Sequence, residues 1–167
     1  MKQGFRRFTA VLCAALMLVG CGAPSSAPPV TDGFTCRAAM QYGDMMVEGD
    51  LTCTREGGAA LTFTLPPSLQ GITLVFDHSG MAMELGGMHL ASPADKVPQG
   101  ALVCCLSSVL TAAHPAGTIT EDGYIIRGET EGTSYTLVCD PASGLPVSLS
   151  VPSQGLEAVF TEVSAVS

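Results

Sequence analysis

The sequence predicts a mainly β fold of the α+β class, with about 10–11 short antiparallel strands and one inserted helix. Three observations predict it. From Phe34 onward, apolar residues recur at a period of two, the spacing of a strand with one buried face. Clusters of Gly, Pro and Asp interrupt that alternation repeatedly, as turns between strands do. One uncharged stretch just after Gly100 changes to a helical period.

The elements follow in order. Phe34, Cys36, Ala38, Met40 and Tyr42 alternate with Thr35, Arg37, Ala39 and Gln41. After Gly43-Asp44, the set Met45, Val47, Gly49, Leu51 and Cys53 alternates with Met46, Glu48, Asp50, Thr52 and Thr54. Charged strand residues of this pair share one face, so the pair is a hairpin with one buried side. Glu56-Gly57-Gly58 turns the chain, and Ala59, Leu61, Phe63 and Leu65 mark a third strand closed by Pro66-Pro67. Ile72, Leu74 and Phe76 mark a fourth, with Met81, Met83 and Leu85 inward on a fifth. Gly86-Gly87 is expected to be a bulge before Met88 to Leu90, and the pattern breaks at Ser92 to Gly100.

Leu102, Cys105, Leu106, Val109, Leu110 and Ala113 then recur at helical spacing, leaving Cys104 off the apolar stripe. Residues 97 to 113 hold no charge, so this helix is expected to be covered on more than one side or to sit in a concavity. His114-Pro115 is expected to end it. Strands resume after Gly117, separated by turns at Asp122-Gly123, Glu131 to Thr133, Asp140 to Gly144 and Pro152 to Gly155.

The first part of the chain is of another kind. Lys2, Arg6 and Arg7 precede an apolar run from Phe8 to Val19, the length of a signal-peptide core and too short to span a bilayer. Leu18-Val19-Gly20-Cys21 resembles a bacterial lipobox, in which cleavage leaves an acylated Cys21 as the first residue. The expected organisation is a lipoprotein signal peptide over 1–20, lipidated Cys21 with a Pro/Ser/Ala linker over 21–33, and a β domain over 34–167. At ~3 Å per residue the linker reaches roughly 35 Å. No cofactor is expected beyond the covalent acyl chains on Cys21. Two or three such chains give stable anchoring, at about 0.8 kcal/mol per buried CH₂.

Composition excludes several function classes. The 15 acidic residues outnumber seven Lys and Arg, which argues against nucleic-acid binding. Loss of the leader leaves only Arg37, Arg55, Lys96 and Arg127 as bases and brings net charge from −8 to −11. An acidic body stands off anionic headgroups. The chain holds no Gly-x-Ser-x-Gly elbow, P-loop or His-Glu-x-x-His, and His78, His89 and His114 lack ligand spacing. Neither an enzyme nor a metal site is expected. Of the seven Cys, Cys36, Cys53, Cys104, Cys105 and Cys139 remain as thiols in the mature chain. Cys36 and Cys53 both face inward on the first hairpin. They are directly opposite if the loop is Asp44-Met45 and one diagonal apart if it is Gly43-Asp44. They could bridge in an oxidising compartment or serve as small core residues.

The opening hairpin, Leu65-Pro-Pro-Ser-Leu-Gln-Gly71 running into Ile72 to Phe76, the helix near 100–113, and the Asp140 to Pro146 turn together resemble the lipoprotein-carrier half-barrel family (LolA/LolB-like). The resemblance implies one curved antiparallel sheet, a half-open barrel, wrapped around a helix with an apolar cavity. It implies a lipid or apolar small molecule as ligand, in a carrier, chaperone or sensor role. The expected cavity residues are Phe34, Met40, Leu51, Phe63, Phe76, Met81, Met83, Leu102, Leu106 and Val109. Flexible, polarizable Met suits a pocket for variable apolar ligands and equally suits irregular core gaps. The other reading is an envelope protein-interaction module with no ligand. The expected location is the outer face of the bacterial cytoplasmic membrane, or the outer membrane in a cell that has two.

Overall fold

The computed structural model describes residues 33–98 and 100–166. The signal peptide, Cys21 and most of the linker lie outside the described residues. The chain from Phe34 forms six strands, a helix, and five more strands. These are β1 (Phe34–Tyr42), β2 (Met45–Cys53), β3 (Ala59–Leu65), β4 (Thr73–Asp77), β5 (Gly80–Leu85) and β6 (Met88–Pro93). After α1 (Leu102–Leu110) come β7 (Thr118–Thr120), β8 (Gly123–Thr130), β9 (Thr133–Cys139), β10 (Pro146–Val151) and β11 (Leu156–Ala165). All eleven strands join one antiparallel sheet in the order β6-β5-β4-β3-β2-β1-β11-β10-β9-β8-β7. The half-open barrel that the sequence implies is thus present: a curved, unclosed sheet around one helix.

Its plan is two meanders joined at the middle. The first and last strands pair at the centre, with Met40 opposite Ala158 and Ala38 opposite Phe160. The edges β6 and β7 remain apart, and α1 lies in the chain between them.

The two-residue period produces the core directly. β1 alternates buried and exposed along nearly its whole length, with Phe34, Cys36, Ala38 and Met40 inside. Val47, Leu51, Cys53, Leu61, Phe63, Leu137, Leu149, Leu156 and Phe160 complete the inner face. Eight of the nine residues of α1 are buried, as its lack of charge predicts. The helix packs on β3 and β4. Ser107 is buried within it, and its Oγ donates to the Gly57 carbonyl at 3.2 Å, pinning the helix to the β2–β3 turn. Tyr42 donates to the Gly100 carbonyl and fixes the approach to the helix. A Cβ at Gly49 would sit 2.6 Å from the Thr62 carbonyl oxygen, so glycine there lets β2 and β3 close together.

Three expectations need correction. Gly86-Gly87 is a turn and not a bulge. Both glycines take positive φ, 55° and 84°, and Leu85 pairs directly with Met88. That conformation suits a two-residue hairpin, so Met88–Pro93 is a full sixth strand. The helix stops at Leu110, before His114-Pro115, where Thr111 leaves helical geometry and its Oγ1 donates to the Ser107 carbonyl at 2.7 Å. Cys104 is buried off the apolar stripe, in keeping with the expectation that the helix is covered on more than one side. Met45, placed inward by its spacing, is 55% exposed at a hairpin tip that reaches past the core.

Candidate functional site: the inner face of the β4–β6 wing

Directly paired residues of an antiparallel sheet share a face. One such row runs from the centre of the sheet to its edge: Cys36, Leu51, Leu61, Leu74, Met83 and Leu90. Exposure along it changes in one direction. Leu51 and Leu61 are buried, Leu74 is half-buried, Met83 is 36% exposed and Leu90 is 65% exposed. The helix accounts for the gradient. It packs on β3 and β4, and the row continues beyond it.

The next row, Cys53, Ala59, Phe76, Met81 and Ser92, behaves in the same way, with Phe76 and Met81 half-buried. At the tip, Leu85 pairs with Met88, which is 67% exposed. The inner positions of β4, β5 and β6 are therefore Leu74, Phe76, Met81, Met83, Leu85, Met88, Leu90 and Ser92. None is charged. The acids and imidazoles of this wing project from the other face or from its turns. Glu84 faces His89 there at 3.4 Å. Contiguous apolar surface of this kind marks an interaction site more often than scattered exposed residues do.

The ten expected cavity residues thus separate. Phe34, Met40, Leu51, Phe63, Leu102, Leu106 and Val109 pack together in the buried core between sheet and helix. Small inner side chains at Ala38, Ala59 and Ala158 leave room for α1 to fill the middle of the concavity. Phe76, Met81 and Met83 lie instead on the open wing. Met40 and Met83 occupy equivalent positions in the strand pattern, yet one is fully buried and the other is not. Sequence reasoning placed Leu85 inward but left it out of the site, and did not bring Met88 and Leu90 to the inner face. Their signal was the run of apolar residues on either side of Gly86-Gly87, which reads as a two-residue hairpin once the glycines are seen as its turn.

Depressions of about 450 and 320 Å³ border the same wing. The first lies between the β2–β3 turn and the end of β4, at Glu56, Phe76 and His78. His78 Nε2 is 2.7 Å from the Glu56 carbonyl oxygen, tying the two turns together. Asp77 accepts from the Ser79 N–H at 2.7 Å and the Ser79 hydroxyl at 2.5 Å, which holds its carboxyl below the usual range. These are turn-forming contacts. Among the described residues no group of three or more His, Cys, Asp or Glu could hold a metal ion.

The thiols are all buried. Gly43-Asp44 is the loop of the first hairpin, so Cys36 lies opposite Leu51 and Cys53 opposite Phe34. The two are one diagonal apart, about 7–8 Å, a longer span than a disulfide bridges. Both are free thiols, as are Cys104 and Cys139. Burial, with a smaller contribution from Asp50, pushes Cys36 up to about 12. Burial, then Cys36, pushes Cys53 up to about 12. Burial leads for Cys104 and Cys139 as well, at about 11 each. The folded state therefore holds these protons more tightly than the unfolded chain. Their stabilising contribution is complete below the ordinary thiol value of 9.0 and is lost as pH rises toward 11–12. Each thiol adds a slope of up to about 1.4 kcal/mol per pH unit in that window. The unfolding midpoint is expected to fall steeply above pH 9, and more gently in Cys139→Ala. At pH 8 a small alkylating reagent should modify these four only in denaturant. Rapid modification of the native chain, or fewer than five thiols in denaturant for the mature chain, would contradict this assignment.

No family model matches the chain, and no curated protein matches it. Solved structures do. An uncharacterized conserved protein from Thermus thermophilus aligns with TM-score 0.51 and 11% identity, over 82% of this chain and 80% of that one. A LolA superfamily protein, NE2245 from Nitrosomonas europaea, aligns with TM-score 0.42 and 8% identity, over 86% and 90%. LprF from Mycobacterium bovis aligns with TM-score 0.37 and 10% identity, over 81% and 87%. At 11% identity the likeness to the Thermus thermophilus protein is one of fold alone. That fold is the unclosed antiparallel half-barrel around a helix that the sequence resemblance implies.

Proposed function

We propose that the protein is an envelope-tethered bacterial lipoprotein that holds a lipid or other apolar ligand against the inner face of the β4–β6 wing, as a carrier, chaperone or sensor. The observation that carries this reading is the uncharged inner face, on which exposure rises from Leu61 to Leu90 with nothing but Ser92 polar. Met81, Met83 and Met88 give it adaptable side chains. An acyl chain laid along the row would remove apolar surface from water at roughly 25 cal/mol per Å². The reading is of a binding protein and assigns no catalytic step.

Anchoring through acyl chains on Cys21 belongs to the same proposal. No helix among the described residues is long and apolar enough to cross a membrane. Cys21→Ala, with residues 1–20 replaced by a secretory leader that is cleaved without lipidation, is expected to move the protein from the membrane fraction to the soluble extracytoplasmic fraction. Retention in the membrane would remove the anchor from the proposal. The same variant tests the ligand without covalent acyl chains in the extract. Native mass spectrometry and organic extraction should find co-purified lipid, or the protein should take up an apolar fluorescent dye. A folded protein that does neither would overturn the ligand.

A further inference from the structure

The two edges of the sheet are built differently. At one edge β7 is only three residues long, and its turn carries Glu121 and Asp122. Past β7, the open side of β8 presents exposed Arg127 and Glu129. Short length and charge are the usual devices that keep an edge from pairing with another chain. At the other edge β6 has six residues, Met-His-Leu-Ala-Ser-Pro, without lysine, acid or bulge. Residues 88 to 91 are exposed, and in the sheet β6 pairs with β5 alone.

The register shows which backbone groups this leaves open. In a two-residue hairpin the residues flanking the turn exchange hydrogen bonds, and bonded pairs then alternate. Leu85 and Met88 flank the turn, so Met88, Leu90 and Ser92 bond to β5. The N–H and C=O of His89 and Ala91, and the Pro93 carbonyl, point out of the sheet. Pro93 is tolerated there because its missing N–H would have faced outward.

We infer that β6 is a docking edge for an extended segment of another polypeptide, added as an antiparallel twelfth strand. Side-chain chemistry specifies the segment. Its inward residues would lie beside Met88 and Leu90 and be apolar. Its outward residues would lie beside His89 and Ala91, on the face where Glu84 stands one strand further in, and in a chain of net charge −8 they would be basic. A second copy of this chain fits less well. It brings like charge to the same edge. The inference shares Met88 and Leu90 with the ligand reading but rests on the open backbone of His89 and Ala91, which a ligand on the inner face does not occupy.

The test uses the full chain and a synthetic peptide of alternating lysine and valine. Titration should show saturable binding, with slowed amide exchange at His89 and Ala91 and no change at Ile119 on the guarded edge. The same peptide N-methylated at every residue should bind at least about tenfold more weakly. Ala91→Pro removes one outward N–H at a position where an edge tolerates proline, and should also weaken binding at least about tenfold. His89→Pro serves in its place should that variant misfold. Equal binding by the N-methylated peptide, or protection spread evenly over the acidic surface, would overturn the inference as mere charge attraction. Absence of binding would overturn it outright. A concentration-dependent dimer in the unmodified chain that Ala91→Pro abolishes would assign the edge to a second copy instead.

Discussion

Met83→Arg and Leu90→Arg each lower uptake of an apolar dye or lipid at least about tenfold and leave the thermal midpoint within about 2 °C of the unsubstituted chain. Both residues are exposed in the free protein, Met83 at 36% and Leu90 at 65%, so an arginine there extends its charged head into water. A ligand lying on the row would have to cover that head. Burying an unpaired charge costs several kcal/mol, and 1.4 kcal/mol is a factor of ten in affinity. The same change at Met40 is not informative, because Met40 is fully buried and its substitution would damage the fold itself. Val159→Arg is the matched control, since Val159 is 54% exposed and lies opposite Ala39 on the outer face. Unchanged uptake in a folded Met83→Arg variant would remove the wing as the ligand site. Equal loss in Val159→Arg would show that the added charge acts nonspecifically.

Leu106→Ala destabilises the fold by about 2–5 kcal/mol, read as a lower denaturant midpoint at unchanged slope. Leu106 is fully buried and belongs to the same cluster as Leu61, Phe34 and Met40. Its side chain fills the middle of the concavity, where neighbours are strands that cannot collapse inward without breaking the sheet. The helix has no local reinforcement either. It spans nine residues, its N-cap Ala101 makes no side-chain cap, and neither terminal turn carries a favourable charge. A helix so short is held by tertiary packing. Domain stabilities are about 5–15 kcal/mol, so the loss is a large share of the whole. A change below about 1 kcal/mol would mean that the helix is dispensable to the core, and that the concavity is more open than its burial indicates.

Much of this fold was legible because its strands carry their information locally. In β1 and β2 the alternation alone marks the buried face, and Gly43-Asp44 marks the turn. The helix was legible from its spacing and from the absence of charge, which foretold that it would be covered on several sides. The glycine pair at 86–87 was misread because a bulge and a turn both ask for positive φ. What separates them is whether a partner strand follows in register. The helix end was misplaced for a related reason. Uncharged residues continue to Ala113, and nothing in their composition shows where the backbone leaves α1.

The candidate site was less legible. Met40 and Met83 give the same sequence signal. Their exposure is set by the distance of each strand from the helix, which depends on a strand order that no local pattern encodes. Phe34 and Leu51 were assigned to a cavity because the family resemblance implies one. The helix instead fills the concavity beside small inner residues such as Ala38, Ala59 and Ala158, and the uncovered apolar surface lies at the wing.

The pairing of β1 with β11 has a kinetic consequence. The central seam of the sheet joins residues such as Arg37 and Thr161, which are 124 positions apart. The seam cannot form until nearly the whole chain is available, and contacts of such long separation fold slowly. The nascent chain can assemble local hairpins early, but its middle stays unzipped until the last strand arrives. Under the export proposed above, completion of the sheet would wait for β11 to follow the rest of the domain across the membrane.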